Sequence, residues 1–158
     1  MKKGLIFSLL LVFAAFGCTQ QQPHEMSAMN MSDSTHAVTK VKDGIFIHIS
    51  HSYDDPHRVV MALKMATMMS MDKDVLVYFD IKGIEVLLKN AKDITYPTFP
   101  SAQESIKILL DKGITVFACP GCMKAAGKTA DDLMPGIKVA EKETFFNFTK
   151  GRILTLDY

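Results

Sequence analysis

The sequence has few cysteines, no large charge imbalance and no long apolar run beyond residue 18. Its 158 residues contain three cysteines, which are too few for a scaffold held together by several disulfides. The formal net charge of +1 gives no sign of the basic surface that binds nucleic acid. No segment after residue 18 is apolar enough to span a membrane. These absences exclude a disulfide-rich scaffold, a nucleic-acid-binding protein and a multi-span membrane protein.

The N-terminal segment is typical of an exported bacterial lipoprotein. Two lysines precede an uncharged apolar run, Gly4–Phe16, which is short for a transmembrane helix and suits a signal peptide. The run ends in Ala-Ala-Phe-Gly-Cys, which resembles a bacterial lipobox, so we expect cleavage of residues 1–17 and a lipid on Cys18. In a host with two membranes, Thr19 rather than aspartate after Cys18 favours the outer membrane, facing the periplasm. Ordinary secretion is the alternative, and disulfides can persist outside the cytoplasm in either case.

Composition divides the rest of the chain into a tether and one domain. Residues 18–42 are polar and poor in large apolar side chains, which predicts a flexible tether. The tether contains methionines and histidines, so Cu(I) binding is a hypothesis, because thioethers select soft ions. Residues 43–158 are numerous enough for one domain with its own core. Because residues 1–17 hold two lysines and no acid, the net charge of the exported chain falls from +1 to −1.

Strands and helices alternate along residues 43–158. Short β-branched apolar runs predict strands over 44–50, 74–80, 114–119, 136–140 and 152–158. Helical spacing and capping residues predict helices from Pro56, over 81–91 with an interruption near Gly83, from Ser101 to Gly113, as two short turns around Gly127, and over 141–150. This alternation predicts an α/β fold with a mostly parallel sheet of about five strands and helices on both faces.

The candidate site residues follow the predicted strands. Ligands bind at the carboxyl ends of the strands in an open parallel sheet. His51 follows the first strand, Asp80 ends the second and Cys119 ends the third, so we expect all three at one sheet edge. Cys119 and Cys122 flank a strand-to-helix turn, where a helix N-terminus favours a thiolate. We therefore take Cys119, Cys122 and His51 as catalytic candidates, expect no metal ligand or cofactor, and interpret His48 as a buried, hydrogen-bonded core residue.

The Cys-Pro-Gly-Cys segment has four interpretations. A thioredoxin-type couple follows the first strand and opens a long helix, whereas this pair follows the third strand and Gly127 interrupts the helix. A zinc site needs four ligands, and the chain has no second cysteine pair. A structural disulfide across so tight a loop would restrict little chain entropy. A reactive thiol at Cys119, with Cys122 as its resolving partner, is therefore favoured.

Three segments carry a resemblance to a known family: Ile45–Ala66, Val75–Lys89 and Leu109–Ala140. Their more specific parts are the Asp-Asp-Pro-x-Arg element at Asp54–Arg58 and the strand-end cysteine followed eight residues later by glycine, Cys119–Gly127. In these segments the chain resembles the DsrE/DsrF-like family of sulfur-relay proteins. The resemblance implies a three-layer α/β/α sandwich, assembly as a homo-oligomer (trimer or hexamer), and a cysteine that accepts persulfide sulfur from one partner and passes it to another.

The expected function is therefore sulfur handling, as a persulfide carrier with sulfurtransferase-like chemistry at Cys119. The sulfur donor and acceptor are unidentified proteins or small sulfane-sulfur compounds. Two other functions stay open from the sequence. One is a non-enzymatic binding or assembly module at the membrane surface, with copper as a candidate ligand. The other is a thiol–disulfide oxidoreductase that cycles a Cys119–Cys122 disulfide without carrying sulfur.

Overall fold

A computed structural model describes residues 41–158, which fold around a five-stranded parallel sheet. The predicted signal peptide, the predicted lipidation site Cys18 and almost all of the predicted tether lie outside these described residues. No helix in the described part of the chain combines the length and apolar character needed to cross a membrane.

The order of the elements follows the predicted alternation. The strands are β1 Gly44–Ile49, β2 Asp74–Phe79, β3 Thr115–Ala118, β4 Lys138–Val139 and β5 Ile153–Asp157. The α-helices are α1 Pro56–Met69, α2 Ala102–Asp111, α3 Pro120–Ala125 and α4 Lys142–Phe146, and two 3₁₀ helices span Gly83–Leu87 and Ala130–Asp132. The strands lie in the order β4-β3-β2-β1-β5, and every neighbouring pair is parallel. The predicted α/β fold with a mostly parallel sheet of five strands is therefore confirmed.

One face of the sheet carries the main hydrophobic core. Alternate side chains of β1, β2 and β3 point to this face, where α1, α2 and Met123 of α3 cover them. Helix α1 begins at Pro56, where the Asp55 carboxylate accepts the N–H of Arg58 as an N-cap. The fully buried members of this core include Ile47, Ile49, Val59, Leu63, Val77, Phe79, Leu87, Leu109 and Val116. Burial of these side chains fixes which face of the sheet each strand residue points to.

The opposite face carries a thinner layer. Phe46 and Tyr78 point to this side, and the ring of Phe145 on α4 packs against both, with ring centroids 5.2 Å apart in each pair. Leu76 pairs with Phe46 across the strands, so it points the same way, and its side chain is fully buried. Helix α4 therefore lies on the face opposite the main core, where the resemblance implied a third layer.

Three predicted boundaries differ from the structure. The segment 81–91 contains a 3₁₀ helix that ends at Leu87, because Leu88 takes an extended conformation and forms an antiparallel bridge with Leu133. Helix α4 ends at Phe146 rather than near residue 150, and β4 has only two residues. The predicted end of α2 is confirmed: Gly113 has φ of +74°, a left-handed conformation that glycine adopts without strain.

Candidate functional site

Cys119 lies between the end of β3 and the start of α3. Its N–H donates to the carbonyl of Phe79 at 2.8 Å, which continues the pairing of β2 and β3 by one residue. Its Sγ accepts the N–H of Cys122 at 3.4 Å, so the thiol itself is the N-cap of α3. Pro120 occupies the first position of α3, where the missing N–H costs nothing. The sequence thus places a half-buried sulfur at a helix N-terminus, as predicted.

The two thiols of this turn have different acidities. Burial raises the pKa of Cys119, but interactions with the Tyr78 hydroxyl and with Cys122 and Gly121 outweigh it and lower that pKa overall. Burial also raises the pKa of Cys122, and the neighbouring Cys119 raises it further, against one hydrogen bond from Ile81. Cys119 is therefore the better nucleophile, and Cys122 is the thiol that stays protonated to higher pH.

Tyr78 is a site residue that the sequence analysis missed. It lies on β2 and pairs with Phe117 of β3. Phe117 precedes Cys119 by two residues. Burial raises the pKa of its hydroxyl, and the neighbouring Cys119 and Asp80 add to this, so Tyr78 stays protonated and can donate to a thiolate. The signal in the sequence was a single polar aromatic residue within the apolar run Val75–Phe79.

Cys122 is held by the chain segment that follows β2. The N–H of Ile81 donates to Cys122 Sγ at 3.1 Å. The sulfur is half-buried and packs against the main core. Both cysteines carry free thiols in the structure. A turn from one strand end therefore supplies a hydrogen-bond donor to the cysteine pair at the next strand end.

His48 is hydrogen-bonded as predicted, but it does not lie in the core. Its side chain is 26% exposed and points to the face opposite the main core. Its Nε2 atom is 2.9 Å from Asp80 Oδ2, and its Nδ1 atom is 2.9 Å from Asp157 Oδ1. The Ser50 hydroxyl also donates to Asp80 Oδ1 at 2.9 Å. The Asp80 carboxylate therefore pairs with His48 and not with His51.

His51 lies in the loop after β1, as predicted, and is held by Asp54. Its Nδ1 atom is 3.1 Å from Asp54 Oδ2, and Lys82 Nζ lies 3.2 Å from the same oxygen. The N–H of Ser52 donates to Asp54 Oδ1 at 2.9 Å and is the main reason that the pKa of Asp54 is lowered. Asp54 therefore closes this loop, whereas the helix cap is Asp55. Among the hydrogen bonds of residues 41–158, none joins His51 to either cysteine.

The chemistry open to this edge is that of thiols. The structure brings a thiolate-prone Cys119, a second thiol at Cys122 and a phenol at Tyr78 to one end of the sheet. Within the described residues, no group of three histidine, cysteine, aspartate or glutamate side chains is placed to hold a metal ion. Nucleophilic attack by a sulfur, followed by exchange with a neighbouring thiol, is the reaction that this arrangement can perform.

The fold and the site together describe an α/β protein with a parallel sheet and a cysteine at a strand-to-helix turn. The chain belongs to the DsrE/DsrF-like family, whose model matches residues 42–152. The family typically acts in sulfur relay. The family membership inferred from three sequence segments is therefore confirmed.

One known protein is similar in sequence, and two solved structures share the fold. The uncharacterized protein MJ0760 of Methanocaldococcus jannaschii is 25% identical over 114 residues, which is 71% of this chain and 41% of that protein. The chain thus spans about two fifths of the length of that relative. The ychN protein from E. coli matches with a TM-score of 0.57, and MTH1491 from Methanobacterium thermoautotrophicum with 0.52. Each covers 73% of this chain and 99% of its own at 15% identity, which shows the fold alone.

Proposed function

We propose that this domain carries sulfane sulfur on Cys119, with Cys122 as a resolving thiol. One observation carries the proposal: Cys119 is the cap of α3, half-buried rather than sealed in the core, with a lowered pKa. Membership of a family that typically acts in sulfur relay supports it. A thiolate that is both accessible and stabilised is what attack on a sulfane sulfur requires.

The loading step is a thiol exchange without net oxidation. The Cys119 thiolate attacks the outer sulfur of a donor persulfide, a new S–S bond forms, and the donor leaves as a thiolate. Cys119 then holds the extra sulfur as a persulfide. An acceptor thiolate takes that sulfur by the same exchange, which returns the Cys119 thiolate. The donor and acceptor are proteins or small sulfane-sulfur compounds.

The resolving step uses Cys122. Its thiolate attacks the inner sulfur of the Cys119 persulfide, the outer S–S bond breaks, and hydrosulfide leaves. A Cys119–Cys122 disulfide remains, which an external dithiol must reduce before the next cycle. The higher pKa of Cys122 keeps it largely protonated while Cys119 is being loaded, so the two thiols act in sequence.

Mass spectrometry after rapid alkylation tests this proposal. The reduced protein is incubated with a cysteine persulfide, and the state of each thiol is read from its peptide. We expect one added sulfur on Cys119, none in Cys119→Ser, and a longer-lived persulfide with less sulfide release in Cys122→Ser. An intramolecular disulfide that forms without sulfide release, and with no added sulfur on Cys119 even in Cys122→Ser, would instead favour a thiol–disulfide oxidoreductase. Thiols that resist alkylation until denaturation would favour a binding or assembly module, with copper as a candidate ligand.

We also propose that the domain works in the cell envelope, on a lipid attached to Cys18. The support is the basic start, the apolar run and the Ala-Ala-Phe-Gly-Cys sequence that ends it. Expression of the full chain with labelled palmitate tests this. We expect label in the parent protein and in Cys122→Ser, and none in Cys18→Ser. Label that persists in Cys18→Ser would contradict anchoring at this residue.

Assembly into a homo-oligomer, trimer or hexamer, is part of the proposal. It is supported by apolar side chains exposed on α4 and on the edge strand β5, namely Phe146, Ile153 and Leu154. Light scattering on the purified domain measures the state directly. We expect Leu154→Lys to lower the measured mass and Lys107→Glu, on α2, to leave it unchanged.

A further inference from the structure

Ile81 has a backbone conformation that its side chain disfavours. Its φ is +45°, in the left-handed region, where a β-branched residue is a genuine outlier. The side chain is 63% exposed, so its burial contributes little that could offset the strain. Such strain persists only where the surroundings fix the backbone, and it concentrates at functional sites.

The turn around Ile81 is fixed on both sides. Before it, the Asp80 carboxylate is held by His48 Nε2 and by the Ser50 hydroxyl. After it, the N–H of Gly83 donates to the Asp80 carbonyl at 2.7 Å and to the Ser50 carbonyl at 3.2 Å. A Cβ atom on Gly83 would lie 2.3 Å from the carbonyl oxygen of Ile49, so the turn sits directly against the end of β1. These contacts restrict the backbone between Asp80 and Gly83, which includes Ile81.

The result of this conformation is a hydrogen bond to sulfur. The Ile81 N–H donates to Cys122 Sγ at 3.1 Å, across 41 residues of sequence. A donor of this kind binds a thiolate more strongly than a neutral thiol, because hydrogen bonds to ionised groups are the stronger ones. The hydrogen bond therefore lowers the free energy of the Cys122 thiolate, which is the form that can attack.

We propose that the backbone N–H of Ile81 is a catalytic donor, which stabilises the negative charge on Cys122 when that thiol resolves the Cys119 persulfide. The proposal rests on the proposed function, since it assigns a role in the resolving step. In that step Cys122 loses its proton to water or buffer, and its sulfur attacks Cys119 Sγ as hydrosulfide leaves. The strained turn keeps the donor aimed at Cys122 before the charge forms, so no reorganisation is needed.

An amide-to-ester substitution tests the donor directly. Replacing Ile81 by the corresponding α-hydroxy acid, through nonsense suppression, removes the N–H and keeps the side chain. The pKa of Cys122 is read in a Cys119→Ser background from the pH dependence of iodoacetamide alkylation. We expect the ester to raise that pKa by about one pH unit. With Cys119 present, we expect sulfide release from the persulfide-loaded protein to slow about threefold near neutral pH, because the thiolate fraction falls about tenfold while the more basic thiolate is the stronger nucleophile.

The matched control is the same ester substitution at Lys82, whose N–H forms no hydrogen bond with either sulfur in the structure. We expect the Lys82 ester to leave both quantities unchanged, with circular dichroism confirming that each variant is folded. An unchanged Cys122 pKa in the Ile81 ester would overturn the proposal, as would a raised pKa with unchanged sulfide release. If the parent protein releases no sulfide, the proposed function fails, while the pKa measurement still decides whether Ile81 stabilises the thiolate.

Discussion

The imidazole of His48 lies between two carboxylates, with Nε2 2.9 Å from Asp80 Oδ2 and Nδ1 2.9 Å from Asp157 Oδ1. The three residues belong to the carboxyl ends of the neighbouring strands β1, β2 and β5. Burial lowers the pKa of His48, but the hydrogen bonds that the protonated ring donates to the Asp80 and Asp157 carboxylates outweigh it and raise that pKa overall. When it is protonated, the His48 ring therefore joins the ends of three strands through two ion pairs.

This arrangement predicts that part of the stability depends on His48 being protonated. Because the pKa is raised in the folded protein, the contribution is complete below the unfolded value of about 6.5 and is lost as the pH rises through the folded value. We expect His48→Gln to lower the free energy of unfolding by about 1 kcal/mol at pH 5.5 and by less at pH 8.5. Urea unfolding at the two pH values measures this difference.

Asp111→Asn serves as the control for that experiment. Asp111 pairs with Lys107 rather than with His48 and is 62% exposed, so losing its charge should cost about 0.5 kcal/mol or less at either pH. A penalty for His48→Gln that is the same at both pH values would contradict a role for the protonated ring.

A second prediction concerns the reactivity of Cys119. Tyr78→Phe removes the hydroxyl that helps to lower the pKa of this thiol, while the ring packing against Phe145 remains. We expect the Cys119 pKa to rise and its alkylation near neutral pH to slow about fivefold, which corresponds to one hydrogen bond of about 1 kcal/mol. Peptide mapping after brief exposure to iodoacetamide at a series of pH values gives the rate for each cysteine. Tyr96→Phe, far along the chain from the cysteines, is the control and should leave the rate unchanged.

Much of this site could be predicted from the sequence, because parallel strands bring their carboxyl ends to one edge. That rule alone placed Asp80 and Cys119 at the ends of β2 and β3, and it placed His51 in the loop after β1. The cap of α2 at Ser101 also follows from local sequence, since its hydroxyl accepts the N–H of Glu104. Local signals suffice where the partner is a few residues away or the strand period fixes the direction.

The partners of His48 could not be predicted in the same way. Asp157 is 109 residues distant in sequence, and the two meet only because β5 adds beside β1 at the far edge from β4. Strand order of this kind depends on packing of the whole sheet rather than on any local pattern. The conformation of Ile81 could not be predicted for a related reason: the apolar spacing favours a helix from residue 81, whereas the 3₁₀ helix begins at Gly83, and no local pattern shows that the turn before it lies against the end of β1.

A third prediction tests that close approach. Gly83→Ala would place a Cβ atom 2.3 Å from the Ile49 carbonyl oxygen, so the turn after β2 must shift. We expect a loss of about 2 to 3 kcal/mol in the free energy of unfolding, measured with urea. Gly113→Ala is the comparison, because that residue has φ of +74° but no atom within 4 Å of the added Cβ. Its cost should be about 1 kcal/mol, from backbone strain alone. Equal costs for the two variants would mean that the Ile49 contact does not fix the turn.

The strain at Ile81 predicts a substitution that stabilises the fold. Glycine adopts φ of +45° without a steric penalty, and the isoleucine side chain is 63% exposed, so Ile81→Gly loses little buried surface. The relief of about 1 to 3 kcal/mol of strain exceeds the added entropy of glycine in the unfolded chain, so we expect a net gain of about 1 kcal/mol. Ile81→Ala removes the same exposed side chain but keeps most of the left-handed penalty, and its gain should be less than half as large. Thermal and urea unfolding of the two variants separate these effects, and equal stabilities would show that the turn imposes no strain on this residue.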